Sequence, residues 1–138
     1  MEKVEKKLLE YYNALESTTD LIAVIDKNHI YSLVNNAFLE QRGLSRNQVV
    51  GKHVKDVIGS QAYEEVLSYI KQAFNGKIIT YEMDLTYENI GKRNLFIKYI
   101  PIFYSDSEIN SVIAIISDIT MIKNAEKVKT RLYFQLLP

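Results

Sequence analysis

The sequence predicts an α+β fold: a five-stranded antiparallel sheet with short helices on one face, an amphipathic helix before it and a connector helix after it. Three observations carry the prediction. Two strand-like segments come early and three follow in succession near the end, with the helical segments gathered between them, and such segregation favours an antiparallel sheet over a parallel doubly wound one. Residues 79–87 alternate apolar Ile79, Tyr81, Met83, Leu85 and Tyr87 with polar Thr80, Glu82, Asp84 and Thr86, the period of a strand with one buried face. Segments 21–25 and 112–116 are instead apolar at every position, so the first and last strands are expected to be covered on both faces.

The elements follow in order. Val4, Leu8, Tyr12 and Leu15 recur at spacings of four, four and three among lysines and glutamates, which predicts an amphipathic helix over 2–16. After the polar "STTD", Leu21–Ile25 is a short strand, and Asp26-Lys27-Asn28-His29 turns it into a second strand at 30–34. Asn35 is placed to cap a helix over 36–42 that stops at Gly43. "SRNQ", Ser45 to Gln48, has the form of a capping box and starts another helical turn, closed by Gly51. A short helix is expected at 52–57 and a longer one from about 61 to 74, ended by Asn75-Gly76. Beyond the alternating strand, "ENIGKRN" reads as a turn and 95–104 as a strand, with Pro101 marking a bulge or an unpaired edge in its latter half. The last strand, 111–117, ends at "SDIT". From there Met121, Ala125, Val128 and Leu132 repeat at heptad spacing, which predicts the exit helix.

Composition excludes several function classes. Lysine plus arginine and aspartate plus glutamate number 17 each, so total charge asks for neither nucleic acid nor an anionic membrane. The chain has no cysteine, which removes disulfides, thiolate nucleophiles, cysteine-ligated zinc and a cysteinyl flavin adduct. No apolar run approaches the roughly 20 residues of a membrane span, and "MEKVEKKLLEYY" lacks a signal peptide's apolar segment, so a cytoplasmic domain without direct membrane contact is expected. There is no glycine-rich phosphate loop, no histidine and carboxylate cluster and no serine beside a histidine base, so catalysis within these residues is not expected.

"DLIAVIDKNHIYSLVNNAFLEQRGLSRNQVVGK" closely resembles the N-terminal half of a PAS domain: Asp26 after the first strand, then Asn35, Ala37-Phe38, Gly43-Leu44-Ser45, Gln48 and Gly51-Lys52 in order. "SDIT" resembles the motif that ends the last strand of such domains, and the match spans about 18–122. Asn28-His29 stands where the family usually has Asp-Gly, Leu44 where an aromatic is common and Gln48 where glutamate is. With the helices read from spacing, the expected division is an N-terminal amphipathic helix over 1–17, a PAS-like core over 18–118 and a helical linker over 119–138 toward an output module outside this sequence. The resemblance also implies a sensory role in a signal-transduction protein, such as a sensor histidine kinase or a related regulator.

Some members of the family hold haem, flavin or a metabolite between sheet and helices. Where haem-binding relatives carry an axial histidine on the long helix, this chain has Val66, and His29 and His53 read as turn and surface residues. Non-covalent flavin stays open, because ten tyrosines and five phenylalanines offer packing partners. The expected pocket lining is Ile22, Val24, Phe38, Val54, Tyr63, Val66, Leu67, Ile70, Met83, Leu85, Ile97, Tyr99 and Ile113, with Tyr63 and Tyr99 as polar handles. A filled core would use the same residues. With no arginine or lysine on this expected face, any ligand should be apolar or aromatic.

Two roles therefore compete: a ligand-binding sensor, and a ligand-free module for dimerisation and protein interaction. Both expect a homodimer in which Val4, Leu8, Tyr12 and Leu15 pack on the outer sheet face and against a second chain. Both also give Asp118 and Thr120 a part in setting the angle of the exit helix, beyond the local cap that Asp118 offers.

Overall fold

A computed structural model describes residues 2–137. Met1 and Pro138, the outermost residues of the expected N-terminal helix and C-terminal linker, lie outside the described residues. The order is α1 (Glu2–Ser17), β1 (Leu21–Asp26), β2 (Tyr31–Val34), α2 (Asn36–Arg42), a 3-10 turn (Arg46–Gln48), α3 (Val54–Ile58), α4 (Ser60–Phe74), β3 (Ile79–Tyr87), β4 (Gly91–Ser105), β5 (Glu108–Asp118) and α5 (Thr120–Leu136). The strands form one antiparallel sheet in the order β2-β1-β5-β4-β3. Among the described residues no helix is long and apolar enough to cross a membrane.

Local chemistry sets the boundaries. The Asn35 side chain accepts the Phe38 N–H and starts α2, and Gly43 ends it at a φ of 66°, a left-handed conformation that glycine adopts without a Cβ penalty. In the β1–β2 turn Asp26 Oδ1 accepts the N–H groups of Asn28 and Ile30 at 2.8 and 3.0 Å. His29 then takes a φ of 62°, so this non-glycine residue does occupy the left-handed position of the turn. "SRNQ" forms its turn with the Ser45 N–H donating to Gln48 Oε1 at 2.9 Å, though as 3-10 rather than α-helix.

Strand ends run past the expected limits. β4 begins at Gly91, because residues 91–94 of the expected turn pair with 84–87 across a tight hairpin. Pro101 pairs only with Val112 of β5, two residues beyond the last β3 pair at Ile79 and Tyr99, and the bulge falls just after it at Ile102 and Phe103. Its missing N–H thus sits where the neighbouring strand has already ended.

The register places Leu21, Ala23 and Ile25 of β1 opposite Ile116, Ala114 and Val112 of β5. Ile116, Ala114 and Val112 in turn oppose Ile97, Tyr99 and Pro101 of β4. This row forms the inner sheet face, and α4 packs on it with Val66, Ile70 and Ala73 buried. The outer face is not covered by α1, contrary to expectation: Leu8 is 61% exposed, Val4 and Tyr12 are similarly exposed, and only Leu15 is half-buried. Polar bonds near the end of α1 explain why it docks there alone. Asn35 Nδ2 donates to the Leu15 carbonyl at 3.0 Å and the Asn36 N–H to Glu16 Oε2 at 3.2 Å.

Candidate functional site

Between the inner sheet face and helices α2, α3 and α4 lies a cavity of about 80 Å³. Phe38, Val54, Val66, Ile70, Met83, Leu85, Ile97 and Tyr99 line it, as the alternation of β3 and the helical periods suggest. The expected lining is corrected at five positions. Ile22, Val24 and Ile113 lie on the opposite sheet face, and Ala23, Ile25, Val112, Ala114 and Ile116 take the inner one. Strands apolar at every position carry no alternation from which their facing can be read, and a one-residue shift moves a whole strand's side chains. On α4 the lining stripe is Ala62, Val66 and Ile70, at successive spacings of four; Tyr63 and Leu67 stand on the neighbouring stripe, about 100° round the helix.

The cavity wall is less apolar than expected. Arg42, Tyr31 and Tyr87 line it as well, which corrects the expectation of no basic residue on the inner side. The Arg42 guanidinium carbon sits 5.9 Å from the ring centres of both Phe38 and Tyr87. Arg42 lies four residues after Phe38 on α2, so its place beside an inward phenylalanine was readable from helical spacing. Beside the cavity wall, the Tyr81 and Tyr99 hydroxyls are 2.6 Å apart, and Tyr81 stacks on Tyr69 with ring centres 3.9 Å apart. Burial pushes the Tyr99 hydroxyl up to about 12, so both phenols are neutral at physiological pH. No histidine is among the lining residues.

The two histidines meet outside the cavity. His29 Nδ1 is 2.6 Å from the Tyr63 hydroxyl, the His29 ring stacks on Phe74, and the His53 ring centre lies 6.0 Å away. His53 caps α3 by accepting the Lys55 N–H through Nδ1 at 3.0 Å. Burial, reinforced by His53 and Lys71, holds the His29 pKa below its ordinary value. Distant in sequence and placed in separate turns, these residues gave no local sign of their meeting.

The junction between β5 and α5 is a second constellation. Asp118 Oδ1 accepts from the N–H and the hydroxyl of Thr120 at 2.9 and 2.6 Å, while Oδ2 accepts from Arg93 Nε at 2.7 Å. Burial pushes the Asp118 carboxyl up, but hydrogen bonds from Arg93 and Thr120 and the Arg93 charge outweigh it and hold the pKa below the usual value. The N-cap of α5 is Ile119 rather than Asp118, so Asp118 supports the first turn from one residue further back. Asn94 of β4 completes the clamp: its N–H donates to Thr120 Oγ1 at 2.8 Å and its carbonyl accepts the Ile119 N–H at 2.9 Å. Asp118 and Thr120 belong to the "SDIT" motif, whereas Arg93 and Asn94 lie in "ENIGKRN", which reads locally as a turn.

A family model described as PAS fold matches residues 15–124. Among solved structures, the PAS domain of Bordetella pertussis BvgS has a TM-score of 0.68 at 22% identity, with 91% of this chain and 98% of that one covered. A domain of an HTR-like protein from Haloarcula marismortui has a TM-score of 0.61 at 25% identity, covering 75% of this chain and 100% of that one. A PAS domain from a two-component sensor histidine kinase has a TM-score of 0.61 at 12% identity, covering 83% and 98%. No curated protein matches the chain.

Proposed function

We propose, from the premise that the chain belongs to the PAS family, that it is a non-catalytic cytoplasmic sensory domain in which a small ligand in the core cavity biases the exit helix α5. The carrying observation is that cavity and clamp share their strands. Leu95 and Ile116 line the cavity; Leu95 pairs with Asp118 and follows Asn94, while Ile116 stands two residues before Asp118. A displacement of the cavity wall therefore reaches the clamp within one or two residues, and a packed element responds by switching between arrangements rather than by yielding gradually. The similarity to a domain of a sensor histidine kinase supports a parent of that kind, with α5 leading through Met121, Val128 and Leu132, all exposed, toward an output domain.

The test is native and denaturing mass spectrometry of the purified domain, followed by thermal shift with a panel of small metabolites. A stoichiometric small molecule or a saturable rise in melting temperature supports sensing. If nothing co-purifies and no compound shifts the transition, the role is the ligand-free one. The exposed apolar stripe of α1 supports the homodimer that both readings share, because Val4, Leu8 and Tyr12 gain burial only against another surface.

A further inference from the structure

We propose that the cavity takes a short-chain organic monocarboxylate, its alkyl body in the apolar interior and its carboxylate on Arg42. The inference rests on the ligand-binding reading and names the ligand class for that same site.

Among the described residues, two buried side-chain polar atoms have no hydrogen-bond partner: Arg42 Nε and Gln41 Nε2. Both are donors, they belong to adjacent residues, and both residues border Tyr87, which lines the cavity beside Arg42 and a neighbouring hollow beside Gln41. A buried donor left without an acceptor is costly, so an acceptor from outside the chain is the natural partner. Arg42 also forms no ion pair with any described carboxylate. Asp118, which lines the neighbouring hollow, already has its oxygens engaged by Arg93 and Thr120. What holds the Arg42 guanidinium is two aromatic rings, Phe38 and Tyr87, an arrangement that positions a cation without neutralising it.

Other polar groups converge on the same charge. Tyr31 is only 4% exposed and lines the cavity. The Arg42 charge opposes the upward push of burial on both the Tyr31 and Tyr87 hydroxyls, which places Arg42 within electrostatic reach of each. A planar guanidinium with phenolic donors beside it suits a carboxylate, which accepts several hydrogen bonds and pairs with arginine in a fork. The remaining walls are hydrocarbon, Ala23, Ile25, Val66 and Ile70 among them. The cavity of about 80 Å³ is well above the roughly 10–15 Å³ that admits a single water, so a small organic body has room in it.

Isothermal titration at constant ionic strength with propionate, butyrate and valerate tests this, alongside butyramide and n-butanol as neutral isosteres and inorganic phosphate as a bare anion. The expected result is saturable binding of at least one acid to the parent, at least tenfold weaker binding to Arg42→Gln, partial recovery in Arg42→Lys and no change in any affinity for n-butanol. Tyr31→Phe, which removes one oxygen, is expected to weaken acid binding several-fold and keeps the test sharp should Arg42→Gln misfold. Equal binding of acid and neutral isostere by the parent, or of acid by parent and Arg42→Gln, overturns the carboxylate assignment and leaves the pocket reading standing. Heat from phosphate alone means only a general ion effect and also overturns it. If neither acids nor neutral isosteres bind the parent, the assignment falls, and failure of the wider metabolite panel takes the pocket reading with it.

Discussion

Replacing Asn35 with alanine tests how the fold joins its pieces. Asn35 is fully buried, and all of its amide valences are used: Oδ1 accepts the N–H groups of Ile22 and Phe38 at 3.0 and 3.1 Å, and Nδ2 donates to the carbonyls of Leu15 and Asp20 at 3.0 and 2.9 Å. One side chain therefore ties α1, β1 and α2 together. Loss of the cap costs about 1 kcal/mol, and the Ile22 N–H left buried without its side-chain acceptor adds about 1–3 kcal/mol. The expected loss is thus about 2–4 kcal/mol, or a melting temperature lower by about 10 °C. Asn35→Asp sharpens the argument. It keeps the acceptors but sets the second carboxylate oxygen against the Leu15 and Asp20 carbonyls, which raises the folded-state pKa of the new acid. Because protonation is then favoured in the folded state, this variant should gain stability relative to the parent as pH falls. Urea unfolding followed by circular dichroism, at neutral pH and near pH 5, reads both variants. A loss below about 1 kcal/mol for Asn35→Ala, or an Asp variant as stable as the parent at neutral pH, refutes the account.

The remaining predictions concern other parts of the molecule. The folded-state pKa of His29 is lowered from 6.5, so the unfolded chain takes up the proton first; stability should fall as pH drops below 6.5, and His29→Gln should flatten that slope in pH-dependent urea midpoints. Asp118→Ala should cost only about 1 kcal/mol, because its ion pair with Arg93 is partly solvent-exposed, yet it and Thr120→Ala should change the output of a full-length parent; unchanged output with the domain folded reduces the motif to a helix cap. Sedimentation of the parent at tens of micromolar should show a dimer, and Leu8→Glu with Leu15→Glu should dissociate it; a monomeric parent removes the α1 interface.

Legibility in the sequence followed the strength of the local signal. β3 could be read residue by residue because its polar and apolar positions alternate, and the Asn35 cap and Gly43 stop gave α2 to the residue. β1 and β5 were readable as strands but not in their facing, because leucine, isoleucine, valine and alanine suit either side of a doubly covered sheet. That ambiguity exchanged Ala23 and Val112 for Ile22 and Ile113 in the expected lining. Arg42 was overlooked for a different reason. Its charge marked it as solvent-facing, although spacing from Phe38 put it on the inward side, and long basic side chains readily bury their stems. The Asn94 clamp and the His29–Tyr63 contact depend on tertiary placement, and no periodicity announces either.

The order of the strands leaves the sheet with two unlike margins. β2 is four residues long, and the loop between the 3-10 turn and α3 lies along its side, where the Tyr31 carbonyl accepts the Gly51 N–H and the Tyr31 N–H donates to the Lys52 carbonyl. β3 has nine residues, and β4 is its one neighbour in the sheet. Its outer main-chain groups are therefore a template on which an extended segment of another chain can add itself. Glu82, ion-paired with Lys123, and Asp84, ion-paired with Lys92, set charges along that strand. Exposed pairs of this kind contribute little to folding stability, and charges on an edge strand are one of the means by which native sheets limit edge-to-edge pairing.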